Sequence, residues 1–338
     1  MYIITVAKKR NDKEWHKDLE MLGISGVVDS WNNVYKYIDV KNSFFIFDEQ
    51  RAVGTGTWGK SFVKIARQNK WIMLTGTPGD DWKDYISVFL ANRFYKTKTE
   101  FINRHIEYVP WAKFPQIKAY HATDILEKYR RAIIVPMKDT RTTEVKRVYM
   151  ETKFDKDLYQ QTLKNRIDPM DGEPILNPSK FIQVLRRLIY SSDDRKRIAK
   201  QIIRANKKII IFYNYNYELD IIIDICKELK RPYFQYNGSI HEPLPENDRW
   251  AYIVQYIAGA EAWNCITTDT ELFFSLNYSF RIMEQSEGRI NRINTPFKTL
   301  NYYILISRDC IDDSVKQAVV NKGKFNERNW LEQMEIHI

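Results

Sequence analysis

Two stretches of the chain alternate between short apolar runs and polar, amphipathic segments. Residues 1–7, MYIITVA, are a β-branched run that predicts a buried strand, and 12–22 predict a helix. SFFIFDEQ at 43–50 predicts a strand that stays apolar until it ends in acids. IARQNKWIMLTGTPGD at 65–80 then reads as the end of a helix, a strand and a Thr/Gly/Pro turn. From about 198 the pattern resumes more regularly. It predicts helix 198–206, strand 207–214, helix 217–230, strands 233–238, 253–256 and 271–276, helix 280–291, strand 301–307 and a last helix from about 312. Strands that alternate with helices imply parallel sheets. The intervening region is rich in aromatic and basic residues, and LNPSKFIQVLRRLIY within it predicts a helix capped by Asn177 or Ser179. The expected architecture is α/β, with one lobe at 1–120, a helical and irregular linker at 121–197 and a second lobe at 198–338.

Composition changes this picture little. A chain of 338 residues with 44% hydrophobic content can bury two cores. No apolar run approaches the roughly 20 residues that span a bilayer, so no membrane partner is expected. The basic residues of MYIITVAKKRNDKEW follow the apolar stretch, the wrong order for a signal peptide, and a cytoplasmic location is expected. Cys226, Cys265 and Cys310 are widely separated and predict free thiols, and five scattered histidines predict no zinc site. Charge adds more. Lys plus Arg exceed Asp plus Glu by 53 to 43, a net charge of +10 that favours a polyanion such as DNA, although an ordinary basic surface carries the same signal.

Three short motifs carry the candidate chemistry. Asp48 and Glu49 end an apolar strand, which delivers two carboxylates to the edge where open α/β sheets bind ligands. In a nucleotide hydrolase the first acid can hold magnesium and the second can orient the attacking water, whereas the bland alternative is a cap for the next helix. LTGTP at 74–78 ends the next strand, so the hydroxyls and amides of Thr75, Gly76 and Thr77 can bond to the acid pair. In QSEGRINR, Gln285, Gly288 and Arg289 lie in the predicted helix 280–291 and Arg292 follows it directly; on a continuing helix the arginines, three apart, share one face and can fork a polyphosphate. Basic pairs at Arg130–Arg131, Lys146–Arg147 and Arg186–Arg187 are candidates for a strand-tracking surface or for solvated faces.

In this order the motifs resemble superfamily 2 helicases, closest to the Swi/Snf-like helicases encoded by phages of Gram-positive bacteria. FDEQ resembles their DExx box, LTGTP their coupling motif and QSEGRINR their arginine-finger motif. The resemblance implies two RecA-like lobes, ATP between them, magnesium at Asp48, water activation by Glu49, Arg292 as the finger and Arg289 as a second phosphate contact. IITVAKKRNDKEW resembles the DNA-contacting motif of these motors, which implies nucleic-acid contacts at Lys8, Lys9 and Trp15. IVQYIAGAEAWN resembles the motif that links ATP state to the strand, implying contacts at Gly259 and Asn264, with Ala262 where many relatives have glycine.

One departure limits the resemblance. Such motors carry a GxxxxGK[ST] phosphate loop before the DNA-contacting motif, and here that motif starts at residue 2, so the first lobe is expected to be truncated. GTGTWGKS at 54–61 fits the loop pattern through Gly54, Gly59, Lys60 and Ser61, but it follows the acids, where these helicases carry a variable basic segment. The leading expectation is an ATP-dependent DNA helicase or translocase core of phage DNA metabolism, weak or inactive alone, with a second polypeptide as a candidate source of the loop. The rivals are a catalytically silent DNA- or partner-binding module and, less favoured, an NTPase built on Gly54–Ser61.

Overall fold

The computed structural model describes the chain apart from residues 12, 50–55, 77, 80, 112–114, 136–141, 260–262 and 321–338. The described chain forms two compact units, Met1–Asp139 and Thr140–Ile338.

In the first unit, β1 (Tyr2–Thr5) leads through two short helices, α1 (Ala7–Asn11) and α2 (Glu14–Met21), to β2 (Val27–Ser30). A 3₁₀ segment at Trp31–Tyr37 returns the chain to β3 (Phe44–Asp48), and α3 (Thr57–Ala66) connects it to β4 (Lys70–Leu74). The strands pair in parallel in the order β2-β1-β3-β4. Because side chains alternate along a strand, the sheet has two distinct faces. One presents Tyr2, Ile4, Phe45, Phe47, Trp71 and Met73 to α3 and to the 3₁₀ segment, where Trp31, Phe62 and Ile65 complete a core. The rings of Phe47 and Phe62 meet edge-on at 4.8 Å. The other face carries Ile3, Thr5, Ile46, Asp48, Ile72 and Leu74.

After β4, a second 3₁₀ segment at Trp82–Tyr85 precedes α4 (Ile86–Ala91) and α5 (Lys98–His105). The antiparallel pair β5 (Ile106–Tyr108) and β6 (Ile117–Tyr120) and then α6 (Thr123–Ile133) complete the unit around Tyr85, Phe89, Tyr95, Phe101 and Leu126. His105 is wholly buried, its ring nitrogens meeting Tyr95 Oη at 2.7 Å and the carbonyl of His121 at 2.9 Å.

The second unit begins with β7 (Glu144–Glu151), α7 (Lys156–Asn165), α8 (Pro178–Tyr190) and α9 (Asp193–Ala205). It continues with β8 (Lys208–Tyr213), α10 (Asn216–Glu228), β9 (Tyr233–Tyr236), β10 (Trp250–Gln255) and the single turn α11 (Tyr256–Gly259). It ends in β11 (Thr270–Phe273), α12 (Phe280–Glu287), β12 (Thr299–Ile306) and α13 (Ile311–Val320). The six strands are all parallel, in the order β7-β12-β11-β8-β10-β9. Helices cover both faces of such a sheet, which is why Ile209–Tyr213 is a continuous buried run rather than an alternating one. Asn177 caps α8 by accepting from the amides of Ser179 and Lys180.

Two expectations are revised here. Segment 121–197 does not stand apart as a linker: α6 packs in the first unit, β7 pairs with β12 along its whole length, and α8 and α9 supply core residues of the second unit. The predicted helix 280–291 stops at Glu287, with Gly288 as its C-cap, so Arg289 and Arg292 do not share a helix face. Among the described residues no helix is long and apolar enough to cross a membrane.

Candidate functional site

Parallel pairing brings the carboxyl ends of β1, β3 and β4 to one edge of the first sheet, and three side chains converge there on a single carboxylate oxygen. Asp48 Oδ2 accepts from Thr5 Oγ1 at 2.7 Å, Trp15 Nε1 at 2.9 Å and Lys9 Nζ at 3.1 Å. The Asp48 carbonyl accepts from Trp31 Nε1 at 3.0 Å. Asp48 is buried, and these donors supply the compensation that a buried carboxylate requires. Glu49 follows in the left-handed region at φ 58°, a sparsely populated setting for a non-glycine residue, and its Oε1 lies 3.7 Å from Lys9 Nζ. Its amide donates to the Leu74 carbonyl at 2.9 Å, which ties the acid turn to the end of β4. Thr75 and Gly76 follow directly on that strand, Gly76 being exposed, while Thr77 lies outside the described residues. The two motifs are therefore neighbours through the backbone.

In this arrangement Lys9 and Trp15, expected as nucleic-acid contacts, both bond to Asp48. A right-handed crossover from β1 to β2 lays α1 and α2 over the face that carries Asp48, so both side chains turn toward the acid. Lys8, on α1, is half-buried. Thr5 was missed, although the last residue of a strand that pairs in parallel with the acid strand ends at the same edge. The tryptophan of the 3₁₀ segment, Trp31, carries no such signal in the sequence.

GTGTWGKS does not have the geometry of a phosphate loop where it is described. α3 starts at Thr57, and the Lys60 amide already donates to the Gly56 carbonyl at 3.0 Å. Gly59 and Ser61 are buried inside the helix while Lys60 is exposed; Gly54 lies outside the described residues. A phosphate cradle needs unpaired amides facing outward, and that of Lys60 is committed to the helix.

In the second unit, the candidate residues gather around the end of α12. Arg289 is buried and turned inward, its Nη1 donating to the Trp263 carbonyl at 2.7 Å and its Nε to the Gln285 carbonyl at 2.8 Å. That geometry makes it a strut between α12 and the segment after α11. Arg292 and Gln285 are half-buried. Gly259 closes α11, where a Cβ would lie 1.9 Å from Val254 Cγ1 and where its carbonyl accepts from Trp263 Nε1 at 2.6 Å. A side chain there would crowd the buried Val254. Asn264 is exposed, and Ala262 lies outside the described residues.

Beside these arginines sits a residue that no motif flagged. Glu271, on β11, is wholly buried, and neither of its carboxylate oxygens has a hydrogen-bond partner among the described residues. Burial holds its carboxyl well above the usual range and Glu287 adds to the effect, while Arg289 and Arg292 oppose it. Glu287 is itself bound by Arg147, whose Nε donates to Oε1 at 2.9 Å. The other basic pairs also have partners within the protein. Arg130 and Arg131 meet Glu127, and Arg186 is buried among the rings of Tyr190, Tyr215 and Tyr278.

No protein-family model matches the chain, and no curated protein matches it in sequence. Among solved structures it is similar to the C-terminal part of the Fun30 ATPase domain, at 12% identity and a TM-score of 0.43, over 58% of this chain and 99% of that one. It is also similar to the Sulfolobus solfataricus SWI2/SNF2 ATPase core in complex with dsDNA, at 15% identity and a TM-score of 0.38, over 95% of this chain and 80% of that one. Likenesses this distant leave the functional reading to rest on the residues.

Proposed function

We propose that the chain is the core of a nucleic-acid-dependent ATPase of the superfamily 2, Swi/Snf-like type, acting on DNA in phage DNA metabolism. The observation that carries this reading is the carboxyl edge of the first sheet, where Asp48, strained Glu49 and the Thr75-Gly76 turn sit together at strand ends. Glu49 is the residue proposed to orient water, and Arg292 the phosphate-contacting arginine of the second unit. Magnesium fits Asp48 in its donor chemistry. The three donors all meet Oδ2, no described residue bonds to Oδ1, and magnesium is commonly held by one or two carboxylates together with nucleotide phosphates. When bound, the ion would neutralise charge on the phosphate oxygens.

Because the one GxxxxGK[ST] match in these 338 residues is largely folded into α3, the chain alone is proposed to hydrolyse ATP feebly. A DNA-stimulated ATPase assay on the purified chain tests this. Robust turnover would overturn the missing-loop reading, and its loss in Lys60→Ala would favour a site at Gly54–Ser61. A second reading, a silent DNA- or partner-binding module, draws on the ammonium of Lys9, which already compensates both acids at 3.1 and 3.7 Å. It predicts salt-sensitive DNA binding indifferent to ATP and to Glu49→Gln.

A further inference from the structure

The donors that hold Asp48 are of two kinds. Thr5 is fully buried in the sheet and Trp15 donates from a half-buried, neutral ring, so both can stay beside the carboxylate whatever else binds there. Lys9 differs in charge and in support. Its ammonium stands 3.1 Å from Asp48 Oδ2 and 3.7 Å from Glu49 Oε1, within reach of both acids at once. A compact positive charge shared by two carboxylates has the placement of a bound cation. Lys9 is nevertheless weakly fixed. Its side chain is 25% exposed, and the five-residue α1 that carries it has no buried residue. The flexible four-carbon stem lets the ammonium leave without moving the helix.

Charge decides what can share the site. Two carboxylates and one ammonium leave a single negative charge at the strand ends, whereas the acids alone match a divalent cation. A divalent cation on the same oxygens would lie close to the ammonium, and like charges at such a separation repel strongly in a part-buried setting. Lys9 therefore excludes a divalent cation while it is engaged and admits one when it is drawn elsewhere. α1 presents Lys8, Lys9 and Arg10 together, and Arg10 is already bonded to Asp29 and Ser30 at 3.2 and 3.4 Å. For the Lys9 ammonium, a phosphate oxygen is an acceptor equivalent to a carboxylate.

We propose that Lys9 is a shared cation: it fills the acid pair at rest, passes to a nucleic-acid phosphate when the chain binds DNA, and so opens Asp48 and Glu49 to a divalent cation. This rests on the function proposed above in taking magnesium at Asp48 and DNA as the partner. The coupling is reciprocal, since a cation that displaces Lys9 also strengthens DNA binding.

The test uses manganese ion as the probe, because it takes the same oxygen ligands as magnesium and broadens nearby proton signals. The indole N–H of Trp15, bonded to Asp48, is the reporter, identified by its loss in Trp15→Phe. Titrated into the full chain, manganese should broaden this signal at about tenfold lower concentration in Lys9→Met than in the parent. Lys17→Met, which removes an exposed cation from α2, should titrate like the parent. A saturating DNA duplex should close the gap between the parent and Lys9→Met, and the same duplex in both samples cancels the manganese that DNA itself holds. Circular dichroism verifies folding, and Lys9→Gln repeats the comparison with a polar side chain. Either equal midpoints without DNA or a gap that persists with it overturns the proposal. Broadening at equal midpoints leaves magnesium at Asp48 standing, whereas no broadening in either protein removes that part of the ATPase reading together with the shared cation.

Discussion

The guanidinium of Arg289 reaches the carbonyl of Trp263 at 2.7 Å across an interval of 26 residues and holds the Gln285 carbonyl at 2.8 Å with the same fork. This clamp is a folding contact built from a motif residue, and it predicts that the two arginines of QSEGRINR differ in what they contribute to stability. Arg289→Ala should leave buried carbonyls without partners and cost about 1–3 kcal/mol in urea unfolding. Arg292→Ala, at a half-buried position, should cost clearly less. Equal losses from the two substitutions would remove the distinction.

At the acid edge, Thr5 donates to Asp48 from within the sheet, while Lys9 does so from a side chain that is 25% exposed. A hydrogen bond to a charged group contributes about 1.5–3 kcal/mol, more than a neutral one. Thr5→Val keeps the shape and should lose stability in that range. Lys9→Met should cost about 1 kcal/mol or less, because solvent screens the ion pair. If Lys9→Met proved the more damaging of the two, the ammonium rather than the hydroxyl would be the principal anchor of Asp48.

Glu271 gives a pH dependence with a defined sign. Its folded carboxyl is held well above the usual range, chiefly by burial, so the folded protein keeps a proton that the unfolded chain releases above about pH 4.3. The stability it contributes is therefore fully present below that pH and is lost as pH rises toward the folded value. Glu271→Leu removes both the proton linkage and two unpartnered oxygens. The variant should unfold at higher urea than the parent at neutral pH, and the gap should narrow toward pH 4. A gap independent of pH would mean that Glu271 is not protonated in the fold.

Most strands and the position of the acid pair were legible because each signal is local, whereas β2, β5, β6 and β7 were not read from the sequence. Apolar runs ending in Asp48 or in Thr75 are visible in a few residues, and parallel pairing follows from alternation with helices. What was not legible depends on partners far along the chain. Thr5 and Trp15 reach Asp48 across 43 and 33 residues, and β7 joins its sheet through β12, some 155 residues later. The end of α12 was missed for a different reason: the helix closes at Gly288 as its C-cap, and Arg289, just beyond it, bonds to the carbonyl of Trp263, a partner 26 residues away.

Gly259 separates a packing requirement from a contact with nucleic acid. A Cβ there would meet Val254 Cγ1 at 1.9 Å, far inside van der Waals contact, so the buried Val254 side chain must turn or β10 or α11 must shift to admit it. Gly259→Ala should cost about 1–3 kcal/mol, the usual range for overpacking. Val254→Ala removes the opposing methyl, so the double variant should be more stable than the sum of the single losses predicts, with a coupling of about 1 kcal/mol measured by a double-mutant cycle. A nucleic-acid role instead predicts that Gly259→Ala weakens salt-dependent DNA binding while leaving the unfolding midpoint unchanged. Measuring the midpoint and the binding on the same preparations separates the two: loss of stability with rescue by Val254→Ala assigns Gly259 to the packing of β10 against α11.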